Sequence, residues 1–66
     1  MKIGDRVLYI GCTKEQINWG NNDTPYMLIL GREYIVSNVR VHSQHTKIQI
    51  KGVDESFWFN SVCFRQ

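Results

Sequence analysis

The stretch GREYIVSNVRVHSQHTKIQIKG, residues 31–52, decides the fold predicted for this chain. Residues 32–41 are rich in Tyr, Ile and Val, the residue types that favour β-strands. Residues 47–52 alternate isoleucine with lysine and glutamine, so the isoleucines are expected to face inward, and Gln49 and the lysines to face water. The polar HSQHT between these runs is typical of a turn. The stretch therefore predicts a β-hairpin.

The first strand of this hairpin contains a break in its alternation. Tyr34 and Val36 share one face of an ideal strand, because successive side chains point to opposite faces. Val39 and Val41 share the other face. One extra residue near Ser37, a β-bulge, would return all four side chains to the same side and bend the strand. A bulged, curved strand is therefore expected.

The N-terminal half predicts one strand followed by a long connection. Residues 5–12 carry apolar side chains on both parities, which predicts a strand covered on both faces. Residues 13–30 are dense in Asn, Asp, Gly and Pro near their middle and show no helical periodicity, so an unusually long loop is expected. Since no window of the chain has sustained helical spacing, the sequence predicts an all-β fold.

The C-terminal segment SFWFNSVCFRQ, residues 56–66, is expected to close the core. In a short strand over 56–60 its first two phenylalanines share one face and Trp58 takes the other. Residues 60–63 predict a single 3₁₀ turn capped by Asn or Ser, after which Phe64 starts the last strand. The residues of this segment expected in the core are Phe57, Phe59, Val62, Cys63 and Phe64.

Several short motifs together resemble SH3-like small barrels. They are KIGDRV at 2–7, LGREYIV at 30–36, KIQI at 47–50 and FWFNSVCF at 57–64. The chain also resembles short phage and bacterial proteins with a "GD-V" start, a central "GK-Y-V" strand and a "W…F" ending. The resemblance implies one five-stranded SH3-like barrel domain over residues 1–66, with a long first loop at 13–30 and a one-turn 3₁₀ helix before the last strand. This fold serves peptide binding, nucleic-acid binding and assembly, so it does not by itself define an activity.

Recognition of proline-rich peptides is not favoured by the residues that would carry it. In the long loop, Glu15 and Asp23 are the acidic residues, where peptide-binding SH3 domains have an acidic cluster. Asn60 stands where such domains would have a proline lining the groove. The sequence therefore departs from the peptide-binding members of the fold.

Composition and charge define the class of protein broadly. With 66 residues, of which 42% are hydrophobic and 21% charged, the chain is expected to form one globular domain without spare apolar residues for a second core. Eight Lys and Arg against six Asp and Glu give a net charge of +2, and these basic residues are scattered. This charge neither favours nor excludes nucleic-acid binding.

The expected location is cytoplasmic, with no membrane partner. The apolar run Val7–Ile10 near the N-terminus is too short for a signal-peptide core or a membrane span. Cys12 and Cys63 are expected to be free thiols, because a small secreted domain would more often carry four or six cysteines in a disulfide framework.

No arrangement of residues favours catalysis, a cofactor or a metal site. His42 and His45 form H-x-x-H, but Cys12 and Cys63 are far apart in sequence, whereas structural zinc sites use closely spaced pairs. We therefore expect two solvated turn histidines. No orienting base is evident for either cysteine, so the chain is expected not to be an enzyme.

Exposed aromatic residues are the strongest functional signal. Trp19 lies in a polar, glycine-containing stretch, where it could either cover the end of the barrel or anchor a partner. Trp58, if it faces outward, would join it on the common ligand face of the fold. A protein partner from a phage or its host is expected first, single-stranded nucleic acid is the alternative, and assembly through strand edges is a third possibility that would give a homo-oligomer. The predicted partner-binding residues are Tyr9, Trp19, Tyr26, Trp58, Arg6 and Arg40.

Overall fold

Antiparallel strands make up most of the regular structure. The computed structural model describes residues 1–19, 22–43, 45–54 and 56–66. The all-β prediction is confirmed, because the described residues form a five-stranded sheet with only short helical segments. In chain order the elements are β1 (Arg6–Tyr9), α1 (Lys14–Asn18), β2 (Glu33–Val41), β3 (Thr46–Ile50), β4 (Phe59–Asn60), a 3₁₀ helix (Ser61–Cys63) and β5 (Phe64–Arg65).

The sheet is open rather than a closed barrel. Its strand order is β4-β3-β2-β1-β5, with antiparallel neighbours throughout. No ladder within the described residues joins β4 to β5, which corrects the predicted closed barrel. The physical reason is the length of these strands: each has two residues, and the 3₁₀ helix connects them directly.

The bulge and the hairpin predicted from the sequence are confirmed. Strands β2 and β3 pair from Val36 opposite Ile50 to Val41 opposite Thr46, with a register shift between Val36 and Asn38. The Asn38 side-chain oxygen accepts a hydrogen bond from the Val39 amide at 2.9 Å, which supports this local geometry. Val41 is nevertheless 76% exposed, because it lies at the end of the strand beyond the core.

The connection over 13–30 is not wholly irregular, because it contains α1. Thr13 caps this five-residue helix in a capping box with Gln16: the Gln16 amide donates to the Thr13 hydroxyl at 3.1 Å, and the Thr13 amide donates to the Gln16 side chain at 2.9 Å. The sequence Thr-x-x-Gln is the usual signature of this motif. The predicted continuous loop is therefore wrong over Lys14–Asn18.

The core is formed by the inward side chains of the sheet together with Leu28 and with Cys63 of the 3₁₀ helix, whereas no residue of α1 is buried. Its buried apolar residues are Val7, Tyr9, Leu28, Val36, Ile48, Ile50, Phe59, Cys63 and Phe64. Phe57 is only partly buried against this core, and Val62 is exposed, so Val62 does not close the core as predicted. Gln49 is buried, contrary to its predicted water-facing position, and its side-chain oxygen accepts from Asn38 at 3.3 Å.

The 3₁₀ helix before the last strand is confirmed, with Asn60 as its cap. The Asn60 side chain accepts from the Val62 amide at 3.2 Å and donates to the Gln16 carbonyl at 3.0 Å. Since Asn60 is almost fully buried, both bonds satisfy polar groups that would otherwise be costly. They also join the 3₁₀ helix to α1. The preceding strand is shorter than predicted, because only Phe59–Asn60 of residues 56–60 form β4.

The two cysteines are paired, not free. Cys12 and Cys63 form a disulfide with their Cα atoms 5.0 Å apart, within the usual range for such bonds. The Ile10 amide donates to the Cys63 carbonyl at 2.9 Å and so brings the end of β1 against the 3₁₀ helix. The expectation of free thiols is wrong because the pairing depends on this contact between distant segments.

Four residues of the predicted turns and loops lie outside the described residues. They are Gly20 and Asn21 of the long connection, Gln44 of the hairpin turn, and Glu55 before the C-terminal segment.

Candidate interaction surface

Trp58 is held at its backbone by the connection that follows α1. The Asp23 amide donates to the Trp58 carbonyl at 2.9 Å, and the Trp58 amide donates to the Asp23 carboxylate at 2.8 Å. These two bonds lie between segments far apart in sequence, immediately before β4. The Trp58 side chain is half-buried, so it is neither a core residue nor a fully exposed one.

Arg40 lies over the ring of Trp58. Its guanidinium carbon is 4.5 Å from the ring centroid, which is a cation–π contact. Arg40 reaches this position because its neighbour Val39 packs against the core, so alternation turns Arg40 outward. Arg40 and Trp58 thus form one unit on the outer face of the sheet.

Tyr26 is exposed but positioned by the core. Its side chain is 76% exposed, and its ring meets the ring of Phe57 edge-on at a centroid distance of 6.0 Å. Phe57 in turn contacts the buried Phe59, with the ring centroids 6.2 Å apart. Phe57 directly precedes Trp58, so Tyr26 and Arg40 contact neighbouring residues of the same short segment before β4.

Trp19 flanks the same segment at the end of α1. Its amide donates to the Glu15 carbonyl at 3.0 Å, and its own carbonyl accepts from the Asn22 side chain. Asn22 directly precedes the Asp23 that binds Trp58. The Trp19 side chain is 51% exposed, so it does not act as a buried lid. We call Trp19, Tyr26, Trp58 and Arg40 the aromatic surface.

Two residues predicted for this surface lie elsewhere. Tyr9 is buried in the core, where its ring centroid is 5.5 Å from that of Phe64; burial, followed by the neighbouring Tyr34, raises its pKa. Tyr9 is buried because it lies on the same inward face of β1 as Val7 and opposite Phe64 of β5. Arg6 is exposed and pairs with Ile35 of β2. Ile35 lies five positions before Arg40, which is roughly 15 Å along an extended strand. The placement of Tyr9 and Arg6 beside the other four residues is therefore wrong.

Basic side chains lie beside Arg40 on the hairpin. Lys47 is the direct partner of Arg40 in the β2–β3 ladder. His42 and His45 stack at the end of the hairpin, with their ring centroids 4.7 Å apart. Partial desolvation, followed by the charges of His45, Lys47 and Arg40, lowers the pKa of His42. The sequence could have indicated this group through the predicted hairpin, whose register pairs positions 40 and 47.

A shallow depression lies on another part of the surface, beside the disulfide. It has a volume of about 400 Å³ and is lined by Ile10, Gly11, Cys12, Thr13, Gln16 and Val62. The sulfur atoms of Cys12 and Cys63 are bonded to each other, so neither cysteine is available as a metal ligand. Within the described residues, no group of three or more His, Cys, Asp or Glu side chains is arranged to hold a metal ion.

Comparison with protein-family models, with curated proteins and with solved structures found no match for the chain. Among the described residues, no helix combines the length and the apolar character needed to cross a membrane.

Proposed function

We propose that the chain is a non-enzymatic protein that binds another protein through the aromatic surface, and that it modulates or inhibits an enzyme of a phage or its host. The observation that carries this proposal is the position of Tyr26. Its ring is largely exposed yet packs edge-on against Phe57, the residue that precedes Trp58 of the Arg40–Trp58 unit. Tyr, Trp and Arg are the residues that dominate binding hot spots, and rigid aromatic anchors lose little entropy on binding.

The geometry favours this function over assembly through strand edges. Strands β4 and β5 are the outer strands, and each has only two residues. Very short edge strands offer few free backbone groups to a second chain. Asp23 also occupies both the amide and the carbonyl of Trp58, which immediately precedes β4. Homo-oligomer formation stays a prediction without structural support at these edges.

Single-stranded nucleic-acid binding is the alternative, and the exposed ring of Tyr26 is what favours it. A base could stack on this ring, because its face is largely uncovered. This alternative requires an affinity that decreases steeply with salt, because bound phosphates release counterions. Titration with mixed oligonucleotides at low and high salt, followed by tryptophan fluorescence, distinguishes it from protein binding.

The cellular location of the protein determines which partners it can meet. A cytoplasmic location stays a prediction, and the bond between Cys12 and Cys63 counts against it, because structural disulfides persist mainly in oxidising compartments. Thiol titration of protein extracted from its source under alkylating conditions measures the state of the two cysteines there.

The protein-binding proposal is tested by comparative capture from an extract of the source cell. We expect a protein that the wild-type chain captures to be lost with Tyr26→Ala and with Trp19→Ala. If these residues are hot spots, each substitution should weaken the binding free energy by about 2 kcal/mol, which is roughly thirtyfold in affinity. Ile3→Ala is the matched control, because Ile3 is also exposed but lies at the N-terminus. Equal recovery with all three variants would exclude the aromatic surface as the binding site.

A further inference from the structure

The disulfide ties the start of α1 to the end of the 3₁₀ helix. Cys12 directly precedes Thr13, the cap of α1, and Cys63 is the last residue of the 3₁₀ helix. No residue of α1 is buried, so the core does little to hold this helix. Its five residues are also too few for a helix to be stable alone. The position of α1 therefore depends on its links to neighbouring segments.

Hydrogen bonds add further links, and two of them converge on one carbonyl. The Gln16 carbonyl accepts from the Asn60 side chain at 3.0 Å and from the Asn22 side chain at 3.3 Å. The Asn22 side chain also donates to the Trp19 carbonyl. The connection that follows binds the Trp58 backbone through two hydrogen bonds of 2.9 and 2.8 Å. A displacement of α1 would therefore reach Trp19 and Trp58, which belong to the aromatic surface.

The two ends of the disulfide differ in their access to solvent. Cys63 is fully buried, whereas Cys12 is half-buried and lines the shallow depression described above. Cys12 is therefore the end of the bond that a thiolate can approach while the chain stays folded. Disulfides that solvent thiols can reach are the labile and regulatory ones, whereas fully buried disulfides resist reduction.

We propose that Cys12 is a thiol-exchange site, at which a dithiol reductant opens the disulfide and releases α1 from the 3₁₀ helix. In the first step a thiolate of the dithiol attacks Sγ of Cys12. A mixed disulfide forms, and the sulfur of Cys63 leaves and takes up a proton. In the second step the other thiolate of the reductant attacks the reductant's own sulfur in the mixed disulfide and displaces Cys12, which is also protonated. The dithiol is oxidised to a disulfide, and the chain gains two electrons and two protons.

Opening the disulfide weakens binding at the aromatic surface, an inference that rests on the protein-binding function proposed above. Trp19 directly follows α1, so a loosened helix leaves this side chain to be ordered when the partner binds, which costs affinity. The hydrogen bond from the Ile10 amide to the Cys63 carbonyl and the β1–β5 ladder are formed by backbone atoms, so they do not require the disulfide. The bond thus acts as a local switch on the aromatic surface rather than on the sheet.

The first test measures how fast dithiothreitol opens the disulfide in the folded chain, with alkylation of the released thiols. We expect the rate to rise in proportion to the concentration of the dithiol, because attack occurs in the folded state. Reduction that required global unfolding would level off at the unfolding rate when the dithiol is abundant. Such a plateau would overturn the proposal.

Val62 offers a matched pair of variants that locates the attack. It is exposed and lines the same depression as Cys12, so Val62→Lys and Val62→Glu should both fold. Because the attacking thiolate is negative, Val62→Lys should be reduced about fivefold faster than Val62→Glu at low ionic strength, and salt should diminish this difference. Ile3→Lys and Ile3→Glu are the controls, since Ile3 is exposed beyond the opposite end of β1. Equal rates for the two Val62 variants would exclude attack from the depression.

The second test compares amide exchange in the oxidised and the reduced chain by NMR at low temperature. Exchange over residues 16–19 should accelerate by roughly tenfold or more on reduction, because so short a helix is marginal once it is released. Amides of the β2–β3 ladder should keep more of their protection. An equal loss in both segments would mean that the bond holds the whole domain, and unchanged exchange over residues 16–19 would mean that α1 does not need it. Either result overturns the proposal.

The link to function is tested by repeating the capture experiment with the double variant Cys12→Ala, Cys63→Ala. This variant should recover less of a protein that the oxidised wild type captures, and equal recovery would exclude regulation by the disulfide. The reduction and exchange measurements use no partner. A failure of the exchange site and a failure of the proposed protein-binding function can therefore be told apart.

Discussion

Trp58 and Phe59 are neighbours in the chain, but their side chains occupy different environments. Phe59 is fully buried, so Phe59→Ala should lower the free energy of unfolding by about 3 to 5 kcal/mol and leave little folded protein. Trp58 is half-buried and its side chain contacts Arg40. Trp58→Ala should therefore cost only about 1 to 2 kcal/mol. Urea denaturation followed by circular dichroism compares them, and equal losses would mean that Trp58 is a core residue.

The lowered pKa of His42 links the stability of the protein to pH. The unfolded chain takes up the His42 proton near pH 6.5, whereas the folded protein takes it up only at a lower pH. Between these two values the unfolded state binds more protons, so stability decreases as the pH falls from about 6.5 toward the folded pKa. Denaturation midpoints across this range should fall in the wild type and fall less in His42→Gln. The idea fails if the two pH profiles coincide.

At the scale of elements, α1 depends on its first residue. The five-residue helix is too short to be stable by propagation, so its cap contributes an unusually large share of its stability. Thr13→Ala removes the acceptor for the Gln16 amide and should lower the free energy of unfolding by about 1 kcal/mol. Thr13→Ser keeps the hydroxyl and is the matched control. Amide exchange should also accelerate over residues 16–19 in Thr13→Ala, and unchanged exchange there would show that the cap is not needed.

Sequence reasoning succeeded for the elements whose signal is local. The break in alternation near Ser37 indicated the bulge, and the capping residues Asn60 and Ser61 indicated the 3₁₀ helix. The helix α1 was missed because five residues are too few to show helical periodicity, although Thr13 and Gln16 carried its capping signature. For such short helices the cap is a better signal than the period.

Features that depend on contacts between distant segments could not be predicted in the same way. Tyr9 is buried because it shares the inward face of β1 with Val7 and lies opposite Phe64 of β5, whereas the apolar residues at both parities of β1 did not reveal which face is inward. The predicted binding residues do not all lie on one surface, and the reason is the same. Tyr26 contacts Phe57 and Asp23 binds the Trp58 backbone, whereas Arg6 lies on β1 opposite Ile35. The residue types indicated which side chains could form the candidate surface. Contacts between distant segments determined which of these side chains lie near one another.

At the scale of the whole molecule, one covalent bond joins the N-terminal and C-terminal parts. Cys12 and Cys63 are separated by 51 positions, so their bond closes most of the chain into a loop. Closing a loop of this length restricts the unfolded chain and stabilises the folded state by about 4 kcal/mol in the chain-entropy treatment. A domain of this size buries only about 60% of the surface that its unfolded form exposes, so such a contribution is a large part of its total stability.

Reduction should therefore lower the denaturation midpoint strongly, as should the double variant Cys12→Ala, Cys63→Ala. The double variant separates the effect of losing the disulfide from any other effect of the reductant, because its denaturation midpoint should not change further when a dithiol is added. A midpoint that is the same for oxidised and reduced wild type would show that sheet packing alone holds the two ends together.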